Sequence, residues 1–289
     1  MPVRVLCLIL LLGALPQAGA SEAELPLWEL GIGLSTLRFP DYRGADQYQS
    51  YLIPTPAIIY RGERLQMDDR GLRGLLFDSE RVIMDISMDG AVPVDSSQNG
   101  AREGMPDLDA ALEVGPSLKF ILHRQGPHEA RLNLPLRLVY TSDFRTIKAR
   151  GSLFHPNLSF DHRNQWNFST SIGPLYANRR YHDYYYGVDE AYATAERPAY
   201  QAGNGYSGLR TTVTFSRRFE RFWWGAFFRY DNLKGAQFED SPLLRRDHSW
   251  MGGTTLMWFF FQSAERVPRR PHQWAEEQEE CPGLMERVC

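Results

Sequence analysis

Cysteine is nearly absent from the body of this chain. Of the 3 cysteines in 289 residues, Cys7 lies at the start and Cys281 and Cys289 fall within the last nine positions. A disulfide framework is thereby excluded for the main domain. Charge of one sign is missing too: the formal net charge is -3, the pI is near 6.2, and no polybasic stretch occurs, which excludes nucleic acid as a partner. Long apolar runs are lacking. The longest, Val5 to Leu12 (VLCLILLL), is about half the ~20 residues that a spanning helix needs. A mean hydropathy of -0.41 is also too polar for a bundle of membrane helices. Helical periodicity is absent outside that run. The 7 histidines are scattered, without the paired spacing of zinc sites, and no cofactor motif is present.

The apolar run belongs to a secretory leader. Arg4 supplies its positive charge, Pro16 breaks its core, and Ala18-Gly19-Ala20 fits the small-residue cleavage rule. Residues 1–20 are read as the signal peptide, cut before Ser21. Loss of Arg4 takes the net charge from -3 to -4, and no lipid-attachment cysteine stands at the cut. In an oxidising compartment Cys281 and Cys289 have the option of pairing with each other, which the sequence leaves open.

Aromatic residues are plentiful (7 Trp, 14 Tyr, 16 Phe), and the exported chain alternates. Leu108, Ala110, Leu112, Val114, Leu118, Phe120 and Leu122 share one face, against Asp109, Glu113, Ser117 and Lys119 on the other. The scheme repeats with Leu132 to Tyr140 against Arg131, Asn133 and Arg137, and with Val82 to Val94 against Asp85 and Asp89. Successive strand side chains point to opposite faces, so each stretch is a strand with one apolar side. Several runs exceed the ~5–6 residues of a soluble strand and suit the ~9–11 that a tilted membrane strand needs. Tyr51, Tyr60, Tyr140, Tyr176, Tyr230, Trp250 and Trp258 near the run ends are expected to form interfacial girdles. A soluble β-sandwich is the alternative, with shorter strands and a less aromatic buried face.

Twelve strands are expected, at 27–37, 50–61, 63–69, 71–77, 80–94, 108–123, 129–142, 146–162, 164–177, 205–219, 221–233 and 247–261. The long connections 38–49, 95–107, 178–204 and 234–246 follow odd-numbered strands. This is the rhythm of an antiparallel outer-membrane β-barrel with short periplasmic turns and both termini in the periplasm. Residues 21–263 form the barrel and 264–289 a flexible periplasmic tail. Ten strands is the alternative, because 63–77 alternates poorly. Proline runs against the pattern at Pro54, Pro56, Pro93, Pro116, Pro135, Pro156 and Pro174, each removing a ladder donor. Gly115-Pro116 and Gly173-Pro174 lie in related segments and are read as bends.

Several segments are not explained by periodicity. These include Phe39-Pro-Asp-Tyr-Arg-Gly-Ala-Asp-Gln-Tyr48, Tyr60-Arg-Gly-Glu-Arg64, Gly71-Leu-Arg-Gly-Leu-Leu-Phe-Asp78 and Gly104-Met-Pro-Asp-Leu108. Others are Arg179 to Val188, Tyr206-Ser-Gly208, Tyr230-Asp-Asn-Leu233 and Phe238-Glu-Asp-Ser-Pro242. Across 27–262 they resemble the MipA/OmpV family of outer-membrane proteins. The resemblance implies a non-enzymatic barrel that bridges a lytic transglycosylase and a peptidoglycan synthase, or a porin-like protein linked to small-molecule uptake. It carries over no catalytic residues. The chain departs from it at the end: after Phe259 to Phe261, about 28 residues follow, including the acidic Glu276-Glu-Gln-Glu-Glu280.

Two sets of residues are functional candidates. Asp85, Asp89, Glu113, Lys119, Arg131, Arg137, Arg210 and Arg229 are expected to face the lumen, where they either pair and close it or select solutes. Tyr181, His182, Asp183, Tyr184, Tyr185, Tyr186 and Tyr192 form a contact loop or a plug over the mouth. A lipid hydrolase is the third reading. It would use His155 with Ser159, or His248 with Ser249, neither of which has a recognisable motif.

Overall fold

The computed structural model describes residues 24–268 apart from 63, 64, 69, 70 and 144. The leader, the acidic run 276–280, Cys281 and Cys289 lie outside the described residues.

A backbone crossing hydrocarbon must satisfy all its hydrogen bonds internally, and a strand manages this only in a closed sheet. The chain does so along most of its wall with consecutive antiparallel neighbours. On the first side these are β2 (Trp28–Pro40), β3 (Tyr48–Arg61), β4 (Leu65–Asp68), β5 (Gly71–Asp78), β6 (Val82–Ala91), β7 (Ala110–Gln125) and β8 (His128–Ser142). They continue through β9 (Ile147–Phe154), β10 (Asn157–Arg163), β11 (Asn167–Ala177), β12 (Gly205–Arg218), β13 (Phe222–Asn232) and β14 (His248–Gln262). The ring closes where β14 pairs with β2. β9 and β10 are one strand broken at His155-Pro156, since both pair with β8 and with β11. The wall therefore has the twelve expected strands. The broken one is the single departure in their number, and proline at the break is its cause.

Outside this ring, β1 (Glu24–Pro26) pairs with β15 (Arg266–Pro268). The first part of the segment expected to be a flexible tail is thus a strand paired with residues 24–26 at the start of the described chain, and the remainder lies outside the described residues.

Outward positions carry Ile32, Leu34, Leu52, Leu112, Leu138, Leu256 and Trp258, all exposed. Leaving such surface in water would cost ~25 cal/mol per Å². A lipid shell removes that cost, which is why an apolar exterior and a polar interior are stable together. Six of the seven expected girdle aromatics face outward. Tyr51 does not: it lies opposite Leu37 on the inner face and stacks on Phe39 at 5.2 Å.

The two Gly-Pro segments mark close strand crossings. A Cβ added at Gly115 would lie 2.1 Å from the Leu136 carbonyl oxygen, and one at Gly173 only 2.0 Å from that of Pro156. The ladder β7–β8 omits pairs beside Gly115, and β11–β12 shifts register just after Pro174. Only glycine permits the strands to approach so closely there. The substitution Gly173→Ala should therefore destabilise the barrel by about 2 kcal/mol or more. Urea unfolding followed by heat-modifiable gel migration checks this, with Gly100→Ala, where the added Cβ has no neighbour nearer than 4.0 Å, as the mild comparison.

Candidate functional site

The alternation that puts leucines in lipid puts every second side chain in the lumen, and there charge must be matched. All eight candidate charges are ion-paired. Asp85 Oδ2 meets Lys119 Nζ at 2.5 Å, and Arg131 binds Glu129 at 2.8 Å and Asp161 at 2.5 Å. Nearer the outer face, Arg137 lies 3.2 Å from Asp89 and 3.4 Å from Glu113, and Arg210 Nε lies 2.8 Å from Asp231. Arg229 reaches Asp89 at 3.8 Å. β13 and β6, which carry this last pair, stand opposite one another in the ring, with five strand positions between them either way round. The pair spans the barrel.

Other participants were not among the candidates. Glu29 holds Arg61 at 2.7 Å and also Arg218, which reaches it past β13 and β14. These alternate inward as the candidates do, so the same parity rule would have found them. Arg43 comes from the β2–β3 loop, hydrogen-bonds Ser207 and approaches Asp231 at 3.5 Å. No periodicity signals a loop side chain that turns into the lumen.

Below the outer group of charge lies a cavity of about 640 Å³, whose lining includes Arg61, Lys119, Arg131 and Asp161 of the inner group. One arc of its wall is apolar, with Ile59, Trp223, Phe227 and Met257. Another carries Ser169, Ser171, Thr212 and Thr214 from facing pairs on β11 and β12. Leu25 of the terminal ribbon is buried against the periplasmic end of the cavity.

The outer mouth is covered. Residues 178–204 form a short helix, α1 (Arg179–Tyr186), which the alternation gave no reason to expect. Asn178 caps it, its side chain accepting from the Tyr181 amide at 3.1 Å. Tyr186 stacks on Phe238 at 3.6 Å, donates to the Arg43 carbonyl at 2.8 Å, and its own carbonyl accepts from Ser241 Oγ at 2.7 Å. With Tyr42, Val94, Leu108, Val188, Leu233 and Leu243 it makes one apolar cluster. Four loops from all round the rim contribute, so their shared core bridges the mouth.

Of the seven loop candidates, Tyr181, His182 and Tyr186 are buried and out of reach of an outer partner. Asp183, Tyr184, Tyr185 and Tyr192 are half-buried. The two histidine–serine pairs do not assemble. Ser159 accepts from Asn133 instead, and Ser249 faces the lumen while His248 stacks on Tyr230 outside. No nucleophile–base hydrogen bond joins either pair.

His182 makes the cap sensitive to pH. Its Nδ1 donates to the Gly203 carbonyl at 2.7 Å, while Nε2 is buried without a hydrogen-bond partner. Burial holds its pKa below the ordinary value. A group with a depressed folded pKa stabilises the neutral form, so its contribution is complete above the unfolded value of about 6.5 and falls as pH drops below it. Amide protection factors in 178–204, corrected for the slower intrinsic exchange at lower pH, should therefore fall between about pH 6.5 and 5, and fall less in His182→Gln. The same change in protection in both proteins would count against this role.

A family model described as MltA-interacting protein MipA matches residues 32–260. Outer membrane protein Omp26La of Vibrio anguillarum is 30% identical over 91 residues, and outer membrane protein OmpV of Vibrio cholerae serotype O1 is 31% identical over 91 residues. Each match covers 30% of this chain and spans 34% of the relative, about a third of its length. Among solved structures, OmpT of Vibrio cholerae aligns over 81% of this chain and 97% of its own at a TM-score of 0.36 and 4% identity. A bacterial polysaccharide outer membrane secretin aligns over 82% and 99% at 0.38 and 8%. With its closed antiparallel wall and a family match over nearly all of it, the chain belongs to the MltA-interacting protein MipA family of outer-membrane β-barrels.

Proposed function

We propose that this barrel is a non-enzymatic scaffold, which holds a lytic transglycosylase, and with it a peptidoglycan synthase, at the periplasmic face of the outer membrane. The observation that carries the reading is the obstructed lumen: the Asp89–Arg229 pair crosses the barrel beneath a four-loop cap. A lumen crossed by an ion pair beneath a folded cap is suited to anchoring, and the working surface is then the periplasmic one. The family description, an MltA-interacting protein, supports a transglycosylase as the partner. The terminal ribbon β1–β15 supports the same face, since it brings both ends of the described chain together there.

A photo-crosslinking residue at Glu220, in the periplasmic β12–β13 turn, should capture a lytic transglycosylase in cells, while one at Glu190 in the cap should not. Capture at neither position would refute the scaffold. A narrow solute channel is the competing reading, favoured by the 640 Å³ cavity below the ion pairs. The folded barrel in planar bilayers is expected to be electrically silent. Reproducible conductance steps would instead place the channel reading first.

A further inference from the structure

Only residues 62–81 separate β3 from β6, and β4 and β5 use four and eight of them. A tilted strand needs ~9–11 residues to cross the hydrocarbon, so this hairpin is too short to cross it. The register agrees. β4 meets β3 at Tyr60 and Arg61, and β5 meets β6 from Ile83 to Ile86. Towards the outer face, among the described residues, Tyr48 to Ile59 and Ser87 to Ala91 have no strand on the facing side. The wall carries a notch in its outer-leaflet half.

The β3 edge is suited to being left open. The Arg61 amide donates to the Leu27 carbonyl, so odd-numbered amides of β3 face β2 and even-numbered ones face the notch. Of the even positions, Ser50, Leu52 and Ile58 keep their N–H, whereas Pro54 and Pro56 have none to leave unsatisfied in lipid. The same absence prevents a second strand from pairing there, which argues against an edge-to-edge dimer.

Behind the edge, apolar side chains stand beside the hydrogen-bonded hydroxyls of Ser35, Thr55 and Thr255. Tyr51 and Ile53 point inward, yet each is 38% exposed. Tyr51 lies on the row of Leu37 and Gly253, and Ile53 on that of Ser35 and Thr255. Gly253 and Thr255 line the cavity, so the strip of Leu37, Tyr51 and Ile53, bordered by the Ser35 and Thr255 hydroxyls, leads from the notch into it. The far arc offers the hydroxyls of Ser169, Ser171, Thr212 and Thr214, and the cavity volume of about 640 Å³ is within the ~300–1,000 Å³ typical of ligand sites.

We propose that the notch is a lateral portal through which a single-chain amphiphile of the fatty-acid type passes between the outer leaflet and the lumen cavity. Its tail lies along Leu37, Tyr51 and Ile53, and its head reaches the hydroxyl arc. The cap and the crossing ion pair leave the side of the barrel as the route from the outer leaflet. This site is separate from the scaffold reading and stands or falls without it.

The test uses the full mature barrel in phospholipid vesicles with a diazirine-bearing dodecanoic acid. Photolabelling of Trp223 or Met257 should be saturable, and Ile53→Trp, which fills the notch, should reduce it about tenfold, equivalent to 1.4 kcal/mol. Labelling of lipid-facing Leu112 should stay unchanged. Label confined to outward residues overturns the proposal, and so does lumen label that Ile53→Trp leaves intact, because the acid would then enter from the periplasm. Should Ile53→Trp fail to fold, a nitroxide at Ile53→Cys decides. Relaxation by oxygen exceeding that by a water-soluble nickel chelate supports the portal, and the reverse, as expected at Ser171→Cys, overturns it.

Discussion

Everything in this molecule follows from the cost of an unpaired backbone amide in hydrocarbon. Each such group costs several kcal/mol, so strands that cross the membrane must form a ring. β14 closing on β2 completes that ring, and the alternation of side chains then divides the sequence into a lipid face and a lumen face. The departures from regular pairing gather where the constraint is relieved. The β9–β10 break at His155-Pro156 is bridged by β8 and β11 on either side. Pro54 and Pro56 sit where a donor would have had no acceptor.

Charge matching in the lumen is the second consequence. A 12-strand barrel is too wide for its side chains to fill as a core and too narrow to hold many unpaired charges. The outcome is an outer group of ion pairs above a cavity whose wall combines apolar and hydroxyl side chains with the charges of the inner group. Arg210 and Asp231 are well buried, and removing one partner of such a pair costs about 3–5 kcal/mol. The Asp89–Arg229 pair is more exposed, at 31% and 23%, and its strength is screened accordingly. Its importance is geometric, since it joins opposite walls.

The cap turns four loops into a small folded layer. Tyr186 shows how: its ring stacks, its hydroxyl donates to one loop and its carbonyl accepts from another. A tyrosine can serve apolar packing and hydrogen bonding together at small entropic cost. Because Arg43 in the same layer descends to Asp231, the cap is tied to the ion pairs beneath it. A covered outer mouth directs attention to the periplasmic face for partners and to the β3–β6 notch for apolar molecules.

Period-two alternation, strand length and loop rhythm were enough to read off the barrel, its twelve strands and its inward charges, because each depends on a residue's immediate neighbours. Even the notch was foreshadowed by the poor alternation of 63–77. Local pattern did not reveal which charges meet, since Asp89 and Arg229 are brought together by ring closure across 140 positions of chain. Nor did it decide whether the tyrosine loop projects or folds inward, a choice made by contacts with Phe238, Ser241 and Arg43. Backbone pairing and side-chain parity are local physics and were legible in the sequence. The matching of charges and loops across the lumen is long-range physics, and only the closed tertiary structure decided it.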